Sequence, residues 1–243
     1  QAAVASVPAS VRRPRVTHNS AATGTLVLLD CARRAGVQRV ILACSSSCYG
    51  DLSTPPLSET HPLQALSPYA AAKLSAEFYA EAFSRSYEIE TVRLRYFNVF
   101  GPRQDPRGPY AAVIPLFVEA LLSGRQPVIF GDGQQSRDFT HVDNVTAANL
   151  LAAQVPGVSG RVFNIAGGRP LAVLELLHAV CRVLNVSCEP RLAPARTGDI
   201  LHSWADISAA KRDLGYHVER SLEEGLQQTI AWYAARQSPP RTD

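Results

Sequence analysis

The chain has 243 residues, enough for one large domain or two small ones with a substantial apolar core. It carries 24 Lys and Arg against 21 Asp and Glu, a net charge of +3, and Lys73 and Lys211 are its only lysines. The dispersed cations argue against a nucleic-acid partner or a polybasic membrane patch, and no apolar run approaches a membrane span. Gln1 to Pro8 lack the charged start of a signal peptide.

Cys31, Cys44, Cys48, Cys181 and Cys188 form no C-x-x-C pair. Their apolar flanks predict buried, reduced thiols and a cytoplasmic protein. The six histidines show no metal-ligand spacing, so no metal site is expected. Methionine is absent, even at position 1. The expectation is a chain that does not begin at a translation start.

In chain order, residues 17 to 35 predict a buried helix through Leu26, Leu29 and Ala32, with Arg33 and Arg34 in its last turn and Gly36 past its end. Arg39 to Cys44 is a short apolar run of the buried parallel-strand kind, and Ser45 to Gly50 turns off its C-terminal end. Prolines 55, 56, 62 and 68 hold the next stretch open. Tyr69 to Tyr87 predicts a long helix and Glu90 to Arg95 a second strand. Helix and strand in alternation are the signature of a parallel α/β sheet. Further on, a helix is expected near Val113 to Leu122, a strand over Pro127 to Phe130, and helices over 141–154 and 171–184 bracketing a strand from Arg161 to Ile165. Ser221-Leu-Glu-Glu224 is a capping box that opens a final helix to about Arg236.

Tyr69 and Lys73 stand four apart on one helix face. A phenol with a pKa near ~10 is a poor base at neutral pH, and a nearby ammonium favours the phenolate. Alone, this spacing is commonplace on exposed helices and does not establish catalysis. Ser45 and Ser46 lie at a strand's C-terminal end, where open α/β sheets bind ligands. They make either a plain polar turn or the donors that hold a hydroxyl for Tyr69.

Several motifs, in this order and spacing, resemble the extended short-chain dehydrogenase/reductase family of NAD-dependent epimerases and dehydratases. They are Ser45 to Gly50, Ser67 to Lys73, Arg95-Tyr-Phe-Asn-Val-Phe-Gly-Pro-Arg103, Tyr110 to Pro115, Gly131-Asp-Gly133 with Arg137-Asp-Phe139, Asn164 to Gly167, and Arg196-Thr-Gly-Asp199. The likeness covers essentially the whole chain and is nearest to bacterial UDP-N-acetylglucosamine 4-epimerases. It implies a partial Rossmann-like, doubly wound parallel sheet over residues 1–97 and a smaller α/β substrate-binding part over 98–243, with 141–167 packing back on the first part. It also implies that the family's opening strand and G-x-x-G-x-x-G pyrophosphate turn are missing. The expectation is therefore that residues 1–243 alone do not turn over substrate.

Carried over by position, the resemblance makes Tyr69 the acid/base, with Lys73 and Tyr96 beside it at the NAD cofactor. Ser45 and Ser46 hold the sugar. Asn98 and the backbone of Ala111, Ala112 and Val113 meet the diphosphate and uridine. Arg137 and Arg196 suit the diphosphate, since guanidinium forks match phosphate oxygens. Asp199 accepts from the uridine ribose. Ser6, with Val7 and Pro8, resembles a loop over the sugar, and Ser203 lines the pocket beside the sugar's 2-substituent. The implied partner is a UDP-sugar, with a homodimer formed through the helices near 20–35 and 70–85.

The implied reaction is 4-epimerisation by transient oxidation at C4. Dehydratases of the family carry Asp-Glu where this chain has Ser46-Ser47, and decarboxylating members carry Glu at Ser47. Serine does not titrate in a useful range, so epimerisation is favoured over both. The alternative from another class is a remnant that binds UDP but lacks the cofactor site.

Overall fold

The computed structural model describes residues 3–51, 55–106, 112–195 and 200–237. Three parallel strands form the central sheet: β1 (Arg39–Ser45), β2 (Glu90–Tyr96) and β7 (Arg161–Ile165), in the order β1-β2-β7. Between β1 and β2 runs α4 (Pro68–Ser86), and α6 (Val142–Gln154) precedes β7. These crossovers are the connections that parallel strands require.

Strand β2 shows why helices cover both faces of the sheet. Val92, Leu94 and Tyr96 point one way, into a core with Val145 and Ala148 of α6 and Phe163 of β7. Thr91, Arg93 and Arg95 point the other way and meet α4 through polar contacts. Ile207, Leu214 and Tyr216 join the α6 side of this core, and the Tyr216 hydroxyl donates to Ala166 O at 2.9 Å.

Around α4 the chain is helical from its start. α1 (Val7–Arg12) leads to α2 (Pro14–His18), a π-helical turn (Asn19–Thr23) and α3 (Gly24–Arg34). Gly36 lies past the helix end with φ +69°, as its position predicts. The expectation of a buried helix holds for one face only. Leu29 is fully buried against Ala80 and Phe83, whereas Val27 and Leu28 are more than half exposed.

The rest of the chain builds a second core. α5 (Val113–Leu122), α7 (Val173–Leu184) and α8 (Leu222–Gln237) pack Ile114, Phe117, Leu176 and Leu226 together with Phe100 and Ile129. Short strands surround it. β3 (Asn98–Phe100) pairs with β6 (Phe139–His141), and β4 (Val128–Phe130) pairs with β9 (Arg191–Ala193). β5 (Ser136–Arg137) lies between β8 (Leu171–Ala172) and β10 (His202–Ser203). The capping box is present: Glu224 Oε2 accepts from Ser221 N–H at 2.9 Å, and Ser221 Oγ accepts from Glu224 N–H at 3.3 Å.

The cysteines depart from expectation at one position. Cys44, Cys48 and Cys181 are buried and Cys188 is partly so, but Cys31 is exposed on α3, on the face that carries Val27 and Leu28.

Gly225, in the first turns of α8, has no room for a side chain. A Cβ there would stand 2.8 Å from His141 Cδ2 and 2.9 Å from Phe100 Cζ, two buried rings packed edge to face. Helix propensity alone favours Ala over Gly by about 1 kcal/mol. Overpacking wins here, and Gly225→Ala should destabilise the fold by roughly 1–3 kcal/mol. Urea denaturation checks the sign, since a stabilised variant would show that the rings yield.

Candidate active site

Tyr69 stands in the first turn of α4, which local chemistry fixes in place. Ser67 caps the helix by accepting from Ala70 N–H at 3.1 Å, and Pro68 presets the first helical residue. Ser10 of α1, fully buried, accepts from Tyr69 N–H at 3.0 Å and donates to Val7 O at 2.6 Å. One turn further on, Lys73 donates from Nζ to Ala43 O at 2.9 Å, at the C-terminal end of β1. The next residues of that end are Ser45 and the short 3₁₀ turn Ser46–Tyr49. Ser45 Oγ accepts from the Ser47 amide at 3.3 Å and hydroxyl at 3.0 Å, and its side chain is near enough to the Tyr69 phenol to work against the rise in its pKa. Tyr69, Lys73, Ser45 and Ser46 are therefore gathered where β1 ends.

The electrostatics run against one expectation. Burial pushes the Tyr69 phenol above its ordinary range, and the nearby Ser45 side chain offsets that only in part. Burial likewise lowers Lys73. The lysine was expected to draw the phenol down, but its ammonium is engaged by the Ala43 carbonyl and desolvation prevails.

Behind this group lies a buried polar network that joins β2 to α4. Arg95 and Glu77 are both almost fully buried, and Arg95 forks onto the carboxylate, with Nε to Oε2 at 3.1 Å and Nη2 to Oε1. Burial works against the Arg95 charge, but the Glu77 hydrogen bond and the neighbouring groups outweigh it and raise the pKa. Arg95 Nη1 donates to the Tyr49 hydroxyl at 2.8 Å, and that hydroxyl donates to Asn164 Oδ1 at 2.7 Å. Asn164 Nδ2 donates in turn to Leu57 O at 2.8 Å.

The residues expected on the substrate side gather elsewhere. Asn98, Ala112, Val113 and Arg137 line a cavity of about 220 Å³ with Phe117 and Phe130. Arg137 donates from Nη1 to Ser136 O at 2.8 Å and to Leu201 O at 3.2 Å. Its register partner in β10 is Ser203, partly buried. Buried Asp138 knots this corner: it accepts from Gly167 N–H at 2.7 Å, Gly168 N–H at 3.0 Å and Ala205 N–H at 3.2 Å. Burial nevertheless pushes Asp138 up to about 6.

Tyr96 is the register neighbour of Ser45 on the adjoining strand, and three other expected residues lie outside the described residues. Tyr96 turns to the α6 face of the sheet, away from α4, and its hydroxyl and Asn149 are hydrogen-bonded, with Asn149 Nδ2 donating at 2.9 Å. The alternation of side chains along β2 dictates that. Ala111, Arg196 and Asp199 lie outside the described residues. Ser6 caps α1 by accepting from Ala9 N–H at 3.2 Å, so Val7 and Pro8 are helical and not a loop. Pro8, early in the helix, presets φ for that turn.

Sequence reasoning missed Arg95, Glu77, Tyr49, Asn164 and Asp138 as supports of the site. A signal existed for the first two. Arg93 and Arg95 alternate in an otherwise apolar strand, and Glu77 and Glu81 stand four apart on the helix before it. Two buried cations on one strand face require two anions on one helix face.

A parallel sheet with a Tyr-x-x-x-Lys helix against its strand ends, and a largely apolar cavity lined by Asn98 and Arg137, defines an α/β enzyme class. The model for the NAD dependent epimerase/dehydratase family matches residues 1–166, and the chain belongs to that family. A UDP-glucose 4-epimerase of Mycolicibacterium smegmatis is 37% identical over 233 residues, covering 96% of this chain and 74% of that protein. Among solved structures, a UDP-N-acetylglucosamine 4-epimerase from Methanobrevibacter ruminantium, in complex with UDP-N-acetylmuramic acid, superposes with a TM-score of 0.93 at 40% identity. That match covers 97% of this chain and 76% of that one. A UDP-glucose 4-epimerase from Thermotoga maritima, with UDP-glucose, gives 0.93 at 39%, covering 98% and 77%.

Arg95 without its partner would be a buried, uncompensated cation. Glu77→Ala should cost roughly 3–5 kcal/mol, and the double change Glu77→Leu with Arg95→Met should recover most of it. Denaturant midpoints of the three proteins decide this. A double variant no more stable than Glu77→Ala would show that the pair is not coupled.

Proposed function

We propose that the protein is an NAD-dependent UDP-hexose 4-epimerase that acts on the UDP-N-acetylglucosamine/UDP-N-acetylgalactosamine pair and on UDP-glucose/UDP-galactose. The observation that carries this reading is the meeting of Tyr69 and Ser45 at the end of β1, where the Ser45 side chain works to lower the phenol's pKa, followed by serines at 46 and 47. Deprotonating a sugar hydroxyl needs the phenol and its serine. Elimination or decarboxylation needs a carboxyl group at the serine positions, and a serine hydroxyl cannot supply its proton traffic.

The residues present suit the nicotinamide half of NAD. Tyr69 and Lys73 offer a phenol and an ammonium one turn apart, donors matched to the vicinal hydroxyls of a ribose. When bound, NAD supplies the redox chemistry, taking hydride from C4 of the sugar and returning it to the opposite face. Tyr69 accepts the proton of the 4-hydroxyl as it is oxidised and gives it back as it re-forms. Ser45 holds that hydroxyl and lowers the phenol's proton affinity. The ammonium of Lys73, moved from the Ala43 carbonyl toward cofactor and phenol, would work in the same direction. The apolar cavity with Asn98 and Arg137 at its edge suits a nucleoside diphosphate, with its base against Phe117 and Phe130 and its charge toward the guanidinium.

The exposed faces of α3 and α4 carry Val27, Leu28, Phe78 and Tyr79, each at least 40% exposed. That spacing gives each helix an apolar stripe, which supports a homodimer through a four-helix contact. Sedimentation of a monomer at micromolar concentration would remove this part of the reading.

The test uses the protein as its own gene encodes it, with NAD and each UDP-sugar. Product NMR should show inversion at C4, whereas a 4-keto-6-deoxy product would overturn the assignment in favour of a dehydratase. Tyr69→Phe keeps the ring and removes the proton acceptor, so kcat should fall by roughly ~10²–10⁴ with little change in UDP affinity. Near-normal turnover would exclude Tyr69 as the acid/base.

Ser203 sets which sugars fit. A small residue beside Arg137 leaves volume for an N-acetyl group, where a tyrosine would leave room only for a hydroxyl. Ser203→Tyr should depress kcat/KM for the acetylated pair while sparing the other pair. An unchanged ratio of the two would take Ser203 out of the specificity argument.

A further inference from the structure

Two cysteines that the epimerase chemistry does not use are brought together at the end of α7. Cys181 is in the last turns of that helix, and Asn185 ends it in the left-handed conformation with φ 53° and ψ 45°. The reversal is fixed by backbone bonds from Asn185 N–H to Arg182 O at 3.1 Å and from Val186 N–H to Cys181 O at 3.0 Å. It folds the chain back so that Cys188 Sγ lies 2.7 Å from Cys181 Sγ. That separation is inside the contact distance of unbonded sulfurs and within about 0.7 Å of a disulfide bond. Beyond Cys188 the chain is anchored as well, since Gln126 Nε2 donates to Glu189 O at 3.0 Å and Arg191 N–H to Pro127 O at 2.8 Å. The two sulfurs therefore meet in a closed, hydrogen-bonded turn.

We propose that Cys181 and Cys188 form a dithiol–disulfide site that small-molecule disulfides of the glutathione type oxidise. Cys188, partly exposed beside the exposed Val186, is the sulfur that an external disulfide reaches. Cys181 is 7% exposed, and burial with Cys188 beside it pushes its thiol up to about 12, so it does not compete for that first step. The Cys188 thiolate attacks one sulfur of oxidised glutathione, forming a mixed disulfide and releasing one glutathione thiolate. Cys181 then loses its proton to solvent as its sulfur attacks Cys188 Sγ, expelling the second glutathione. The protein gives up two electrons and two protons, and one glutathione disulfide becomes two thiols. The new bond ties the end of α7 to the segment that enters β9, the partner of β4 at the wall of the cavity lined by Asn98 and Arg137.

The test is equilibration of the full chain in glutathione redox buffers, acid quench, alkylation of remaining thiols and mass analysis of tryptic peptides. Trypsin cleaves after Arg182, between the two cysteines, so the disulfide appears as a cross-linked peptide pair that has lost two hydrogens. We expect that pair to dominate in oxidising buffer and to disappear in reducing buffer, with the oxidised protein melting several degrees higher than the reduced one. In Cys188→Ser the cross-link should be lost and Cys181 should remain a free thiol. Recovery of Cys188 as a free thiol, or as a persistent glutathione adduct, throughout the oxidising range would overturn the proposal. No variant has to fold for that outcome to be read.

Discussion

The geometry at the end of β1 depends on how α4 is held against the sheet, and polar contacts do that holding. The β2 face toward α4 presents Thr91, Arg93 and Arg95, bonded to Ala80 O, Glu81 and Glu77. An apolar interface tolerates sliding by a fraction of a side chain, because burial is non-directional. A ladder of three directional contacts fixes the helix along its axis. Tyr69 and Lys73 lie two turns and one turn before Glu77, so the register of that ladder sets the register of both side chains. The same Arg95 reaches Tyr49, which closes the turn that begins at Ser45. One guanidinium thus ties together the two segments whose side chains meet at the phenol.

Such a pair is costly to bury, and its net contribution to stability is small beside an apolar replacement. Its value is in position. Asn164 shows the same economy: each side-chain atom is used, by Tyr49, Leu57 and Asp206, so the loop after β1, the loop before α4 and the segment after β10 are tied to β7. Full satisfaction is what makes the network rigid, because any alternative arrangement would leave a buried polar atom unpaired.

Much of this fold was legible in the sequence, and the reason is periodicity. The strands at 39 and 90 and the helices at 69, 113 and 222 are long or strongly patterned, and their ends carry caps or glycines, so local chemistry marks them. The two-residue and three-residue strands at 98, 136, 171, 191 and 202 carry no such period. Those at 136, 171 and 202 flank the point where Asp138 gathers Gly167, Gly168 and Ala205 around one carboxylate, a long-range event that no local window contains. The site was legible as motifs at positions 45, 69 and 73. The direction of the phenol's pKa was not, because spacing on a helix says which side chains are neighbours and nothing about how much water remains around them. Tyr96 illustrates a second limit: adjacency to Arg95 in sequence puts it on the opposite face of the sheet.

These two limits bear on how the site works. Burial holds the phenol above its ordinary range, and the lysine beside it is engaged by a backbone carbonyl. What changes that state must either bring positive charge to the phenol or give Lys73 a better acceptor than Ala43 O, and a cofactor ribose laid across the end of β1 would provide the acceptor. Ser45 already stands beside the phenol. On the proposed reading, the ammonium that would recognise the ribose hydroxyls is also the one that would make tyrosinate accessible, so binding and activation would be one event. A proton acceptor switched on in this way is not left ionised at the end of an open strand between turnovers.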